Sequence, residues 1–233
     1  MKKLIIASTS TVFGSGYLEY LLPTLQLHFK GVKTLVFIPY ARPGGISYTN
    51  YTSMVKKAFS KIDISVKGLH EFENPKQALL NAEGIFTGGG NTFELLNQLY
   101  KKDVLAILKQ VLENGTPYLG TSAGSNICGI DMKNTNDMPI VYPPSFKSLG
   151  CLYFNINAHY LDPVEGSTHM GETRETRIKE FHVFNKTAVL GLREGGWLSV
   201  EGEKITLHGE ESARLFQQNQ KPVELKRGKV VVI

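Results

Sequence analysis

Short apolar runs at residues 4–7, 34–38, 64–66, 84–87 and 118–120 alternate with longer segments of helical spacing at 17–29, 48–62, 75–82 and 92–113. Val55, Ala58 and Phe59 fall at i, i+3 and i+4, which puts them on one helix face; Leu95, Leu96 and Leu99 mark another. After a break at Lys101-Lys102-Asp103, the apolar spacing resumes with Leu105, Leu108 and Val111. Strand and helix in strict alternation leave few solutions, and the favoured one is a mostly parallel sheet with helices on both faces. Such sheets bind ligands at the carboxyl ends of their strands. Two glycine-rich segments sit at those ends: Gly88-Gly89-Gly90 and Gly120-Thr121-Ser122-Ala123-Gly124.

The second segment directly follows the apolar run Thr116-Pro117-Tyr118-Leu119. A buried strand that runs into Gly-x-Ser-x-Gly and then a helix forces the serine onto a sharp turn, with small neighbours where the backbone doubles back. The turn lifts the Ser122 hydroxyl out of the sheet, as a nucleophile requires. It also aims the Ala123 amide at the place where an oxyanion would form. An ordinary glycine-rich turn, its serine capping the helix, is the bland alternative. Gly90 is the candidate second oxyanion donor, because glycines tolerate the φ values that a nest of amides needs. Asn91 reads as the cap of the helix that follows, and the run lacks the Gly-Lys-Ser/Thr ending of a phosphate loop.

A serine nucleophile needs a base, and the chain has 6 histidines. His28 ends a helix, His70 follows a strand, His182 lies within a helix, His208 sits near a hairpin and His169 falls in a polar loop. His159 stands apart, because it closely follows the predicted strand 152–156 and could share a sheet edge with the Ser122 turn. The acid that orients it has two candidates. Asp137 lies in the turn Asn134-Thr135-Asn136-Asp137-Met138-Pro139-Ile140, and Glu194 lies in Leu192-Arg193-Glu194-Gly195-Gly196-Trp197. Each also reads as a simple turn-former, and residue pattern alone leaves the two open.

The second half adds a charged helix over 172–184 and short strands at 188–192, 197–200, 204–207 and 230–233, expected to extend or edge the sheet as hairpins. No linker or repeat interrupts the 233 residues, so one domain over 1–233 is expected. The net charge of +5 is spread without an aromatic-interleaved basic stripe, which speaks against nucleic acid as a partner. No apolar stretch has bilayer length, and the run after Lys2-Lys3 is too short for a signal peptide core, so it reads as a first strand. Cys128 and Cys151 form no disulfide framework, and a reducing, cytoplasmic setting is the expectation. Nothing in the pattern specifies an oligomeric state.

Taken in order, these segments resemble peptidase E, the α-aspartyl dipeptidase family. The resemblance is carried by Val36-Phe37-Ile38-Pro39, Gly88 to Phe93, Ser122-Ala123-Gly124, Thr135-Asn136-Asp137-Met138-Pro139-Ile140-Val141, Ile156-Asn157-Ala158-His159, Gly171-Glu172-Thr173-Arg174-Glu175 and Glu194-Gly195-Gly196-Trp197. It implies a flavodoxin-like sheet related to the class I glutaminase fold, with serine in place of the cysteine used there. It further implies a Ser122–His159–Asp137 triad with Glu194 as fallback acid, Gly90 and Ala123 as oxyanion donors, and Arg174 as reader of the substrate's aspartyl carboxylate. The implied reaction is hydrolysis of dipeptides with amino-terminal aspartate, without metal or cofactor. Asn-Ala-His stands where the family pattern has Asn-Pro-His.

Spacing places Arg174 on a helical stripe with Ile178 and Phe181, though Arg177 shares Phe181. A planar guanidinium suits a carboxylate because it can bind both oxygens. Rival readings are a cyanophycinase-like hydrolase of β-aspartyl linkages and a non-catalytic amino-acid-binding module of the same fold. An α/β-hydrolase is disfavoured, because no His-Gly-Gly oxyanion segment precedes the serine.

Overall fold

A computed structural model describes residues 1–163, Gly166, Thr168 and 171–231. The strands are β1 (Lys3–Ala7), β2 (Thr34–Ile38), β3 (Ser65–Gly68), β4 (Gly84–Thr87), β5 (Tyr118–Thr121), β6 (Asn155–Ala158), β7 (Val189–Leu192), β8 (Trp197–Glu201), β9 (Lys204–His208), β10 (Ala213–Phe216) and β11 (Val223–Leu225). The α-helices are α1 (Leu22–His28), α2 (Tyr48–Phe59), α3 (Pro75–Leu80), α4 (Thr92–Lys101), α5 (Leu105–Glu113), α6 (Ala123–Asn126) and α7 (Arg174–Phe184).

Strands β3-β2-β4-β5-β1 run parallel, in that order, and the antiparallel pair β8-β9 continues the sheet beyond β1. Alternate residues of each central strand face opposite cores. Ile5, Ala7, Leu35, Phe37, Phe86 and Leu119 meet α1 and α2. Leu4, Ile6, Val36, Ile38, Ile85 and Tyr118 meet α3, α4, α5 and the residues around α6. This strand–helix layering is the α/β class expected from the alternation, and each fully buried Leu, Ile or Phe contributes about 1.5–3 kcal/mol to it.

The remaining strands depart from the expectation. Only β8-β9 extends the main sheet, whereas β11-β10-β7-β6 form a second sheet. Its Ile156, Leu190, Leu192 and Leu215 belong to the same apolar cluster as Leu4 and Ile6. The strand expected at 152–156 falls at β6 instead, because Leu152 is engaged earlier: its amide donates to Cys128 O at the end of α6. Strands β10 and β11 were not anticipated. Of the expected strand 230–233, Val230 makes a single bridge to Thr206, and 232–233 lie outside the described residues. The break at 101–103 is real: Asp103 adopts a left-handed φ of 52° and separates α4 from α5.

Candidate active site

Ser122 joins β5 to α6 with φ 53° and ψ −112°, a conformation non-glycine residues rarely adopt. Its amide donates to Ala7 O at 3.1 Å, which ties the turn to the end of β1. Gly124 is required by close approach, since a Cβ there would overlap the Thr87 carbonyl oxygen on β4. The Ser122 hydroxyl does not cap α6. It lies 2.9 Å from His159 Nε2.

His159 follows β6 and also has a left-handed φ, 54°. It therefore lies at the end of a strand of the second sheet, not at an edge of the parallel sheet that carries Ser122. Ser8 bridges the gap. The His159 amide donates to Ser8 Oγ at 2.9 Å, and Ser8 Oγ donates to Leu192 O at 2.7 Å. One buried hydroxyl thus ties the end of β1 to the ends of β6 and β7. Sequence reasoning missed Ser8, which no motif distinguishes.

On the far side of the imidazole, Nδ1 lies 2.7 Å from Glu194 Oε1. The expectation that Asp137 fills this position is overturned. Asp137 Oδ2 instead accepts from the Thr92 amide at 2.7 Å, the Thr92 hydroxyl at 2.5 Å and the Thr135 hydroxyl at 3.1 Å, at the first turn of α4. The loop that carries it is stitched to β6 by Asn134 Nδ2 donating to Ile156 O and Asn136 Nδ2 donating to Ala158 O, both at 2.9 Å. The Glu194 turn is clamped from outside. Arg193 holds Asp162 with both nitrogens of its fork, at 2.7 and 2.9 Å, so the segment after His159 is tied to the segment before Glu194. That hydrogen bonding holds the Asp162 carboxyl below its ordinary range. Burial, together with the negative charge of Glu194, pushes the nearby Tyr20 hydroxyl up.

Arg174 opens α7, whose Thr173 cap accepts from the Thr176 amide. Ile178 and Phe181 of its stripe are buried. Tertiary packing separates the two arginines that spacing could not. Arg177 is exposed and reaches Glu172 at 3.9 Å, whereas Arg174 is half-buried. Desolvation and the neighbouring Arg177 charge lower the Arg174 pKa, and the nearby Asp137 charge opposes that shift.

Gly90 follows Gly89, which packs on the serine: a Cβ on Gly89 would lie 2.9 Å from Ser122 Cβ and 3.5 Å from Ser122 Oγ. The Gly90 φ of 144° and the Ala41 carbonyl occupying the Cβ position both demand glycine. Among the described residues, neither the Gly90 nor the Ala123 amide donates a hydrogen bond. Asn91 caps α4, accepting from the Glu94 amide at 3.0 Å. No group of three or more His, Cys, Asp or Glu among the described residues is placed to hold a metal ion. His169 lies outside the described residues.

Comparisons with known proteins show the family. The family model for peptidase family S51 matches residues 4–208. A protein named peptidase E from Streptomyces coelicolor is 46% identical over 225 residues, covering 97% of this chain and 91% of its own. A Drosophila melanogaster protein named probable alpha-aspartyl dipeptidase is 45% identical over 219 residues, covering 93% and 90%. The crystal structure of a peptidase from an acI-B1 actinobacterium superposes with a TM-score of 0.74 at 13% identity, over 100% of this chain and 97% of its own, a likeness of fold. With its family model spanning the parallel sheet, the serine turn, His159 and Glu194, this chain belongs to peptidase family S51.

Proposed function

We propose that this chain is a serine dipeptidase that hydrolyses dipeptides with an amino-terminal aspartate, using Ser122, His159 and Glu194. The observation that carries the reading is the unbroken line from Ser122 Oγ to His159 Nε2 at 2.9 Å and from His159 Nδ1 to Glu194 Oε1 at 2.7 Å. Ser122 Oγ attacks the aspartyl carbonyl carbon while His159 Nε2 takes its proton. The oxyanion is held by the Gly90 and Ala123 amides, and Glu194 keeps the proton on Nδ1 and stabilises the imidazolium. His159 returns the proton to the leaving amine, and water then hydrolyses the aspartyl-enzyme ester by the same relay.

Arg174 reads the aspartyl side chain. An unpaired carboxylate entering an enclosed site costs several kcal/mol, so a cation must meet it. The names of the Streptomyces and Drosophila relatives support the same substrate class. Two unpaired buried thiols, Cys128 and Cys151, support a reducing, cytoplasmic setting, and no helix among the described residues is long and apolar enough to cross a membrane. The apolar cluster shared by the two sheets supports one domain over 1–233.

Steady-state kinetics on Asp-Leu, Asn-Leu, Glu-Leu and β-linked Asp-Leu test the reading. Native enzyme should cleave only Asp-Leu well. Arg174→Ala should lower its kcat/KM by roughly 30- to several-thousand-fold, and Arg174→Lys should recover part, because a point charge lacks the paired contacts. Equal cleavage of Asn-Leu by native enzyme, or preference for the β-linked peptide, would overturn it.

A further inference from the structure

The oxyanion pocket depends on the orientation of one peptide plane, Gly89–Gly90, and two side chains outside the catalytic line hold that plane. The Tyr51 hydroxyl, buried on α2, donates to Gly89 O at 3.2 Å. Arg42 Nε, from the loop after β2, donates to the same oxygen at 3.1 Å. The Arg42 guanidinium lies over the Tyr51 ring, 5.3 Å from its centroid, so the two donors reach one acceptor as a stacked pair. Space for the phenol is made by Gly88, where a Cβ would overlap the Tyr51 hydroxyl.

In a planar trans peptide the carbonyl and the following N–H point in opposite directions. Fixing Gly89 O towards Tyr51 and Arg42 therefore turns the Gly90 N–H the other way. Without side chains at Gly88, Gly89 and Gly90, little local sterics would oppose rotation of this plane. The amide of Asn91 is anchored separately to Ala41 O at 2.7 Å, so the plane next to it is the one that needs holding.

We propose that Tyr51 and Arg42 are positioning residues for the oxyanion pocket, pinning the Gly89–Gly90 peptide so that the Gly90 N–H faces the reacting carbonyl beside Ser122. Two donors on the carbonyl also polarise the peptide and strengthen its N–H as a donor. The inference rests on the reading of Gly90 as an oxyanion donor. Both side chains spend their donors on Gly89 O, so they act through turnover and not through substrate affinity.

The test compares Tyr51→Phe, Arg42→Ala, Arg42→Lys and the Tyr51→Phe/Arg42→Ala double variant with native enzyme, by two readouts. One is kcat and KM on Asp-Leu. The other is the rate of Ser122 labelling by a fluorophosphonate. In labelling, Ser122 Oγ bonds to phosphorus, the P–F bond breaks with loss of fluoride, His159 takes the serine proton, and the phosphoryl oxygen draws on the oxyanion donors. Because removal of a whole oxyanion donor costs roughly 10²–10³ in kcat, each single loss should lower kcat and the labelling rate about 5- to 30-fold, and the double variant should approach the full loss. KM should stay within about two-fold, and Arg42→Lys, which keeps a donor, should recover part of the rate. Arg42 is exposed, so Arg42→Ala decides the matter whatever Tyr51→Phe does to folding. Native rates of labelling and turnover in folded Arg42→Ala, or a raised KM with unchanged kcat and labelling, would overturn the proposal. Labelling needs no aspartyl group, so failure of native enzyme on Asp-Leu would count against the substrate reading alone, and the labelling comparison would still decide this one.

Discussion

Exchanging Glu194 for glutamine removes one charge, keeps the side-chain size, and separates the two carboxylates that sequence left open. The carboxylate sits 2.7 Å from His159 Nδ1, but the His159 and Glu194 side chains are 38% and 52% exposed, so water screens the pair. With charge centres about 4 Å apart and an effective dielectric of roughly 20–40, the attraction between Glu194 and the imidazolium formed in the reaction is about 2–4 kcal/mol. Lost from the transition state, that corresponds to about 30- to 10³-fold in kcat, less than the roughly 10⁴ attached to the buried acid of chymotrypsin-type triads. Asp137→Asn should behave differently. It weakens the hydrogen bonds from Thr92 at the start of α4, which should cost about 1–2 kcal/mol of stability while kcat stays within about ten-fold of native. Steady-state kinetics on Asp-Leu, with urea unfolding of the same samples, measures both. A 10³-fold loss of kcat in Asp137→Asn beside a mild effect of Glu194→Gln would refute the assignment of the acid.

Ser122→Ala should lower kcat by roughly 10⁴–10⁶ and abolish fluorophosphonate labelling; a variant retaining about a tenth of native turnover would remove the serine mechanism. Ser122→Gly, equally inactive, should be more stable than Ser122→Ala by about 1 kcal/mol in urea unfolding, because glycine adopts φ 53° and ψ −112° without strain. Burial, with the Lys3 charge, holds the His28 pKa down at about 4 from an ordinary 6.5, while Nε2–H donates to Tyr118 O at 3.1 Å. The unfolded chain therefore binds this proton first, so the associated stability is complete above pH 6.5 and is lost as pH falls towards 4, by about 2–3 kcal/mol at pH 4.5. Urea unfolding at pH 7.5 and 4.5 should show that loss in native protein and not in His28→Gln, and equal losses in both would discard the idea.

Much of the machinery was legible because it is local. The Ser122 turn and the Asn91 cap are encoded within a few residues, by glycine placement and a side chain that reaches its own helix start. His159 stood out by its position at the end of an apolar run, although the strand lies in a second sheet that the run did not announce. The choice of acid was not local. Asp137 and Glu194 both sit in turns, and the family pattern favoured the former. Tyr51 and Arg42 gave no signal either, since on sequence they are an apolar helix position and a loop cation.

The sequence by itself determined the alternation of strands and helices, the mostly parallel sheet that follows from it, and the strained serine at the end of β5, because hydrophobic period and backbone sterics act over a few residues. Tertiary structure alone decided which groups meet that serine. Parallel pairing of β6 with β7 sets Ala158 opposite Leu192, so the residues just beyond, His159 and Glu194, emerge side by side. Hydrogen bonds through Ser8 hold that pair against the end of β1, next to Ser122. Asp137, in a loop outside any strand, was drawn instead to the free amide of Thr92 at the start of α4. A register between strands more than thirty residues apart is chosen by how their apolar faces fill one core, and no short pattern carries that information.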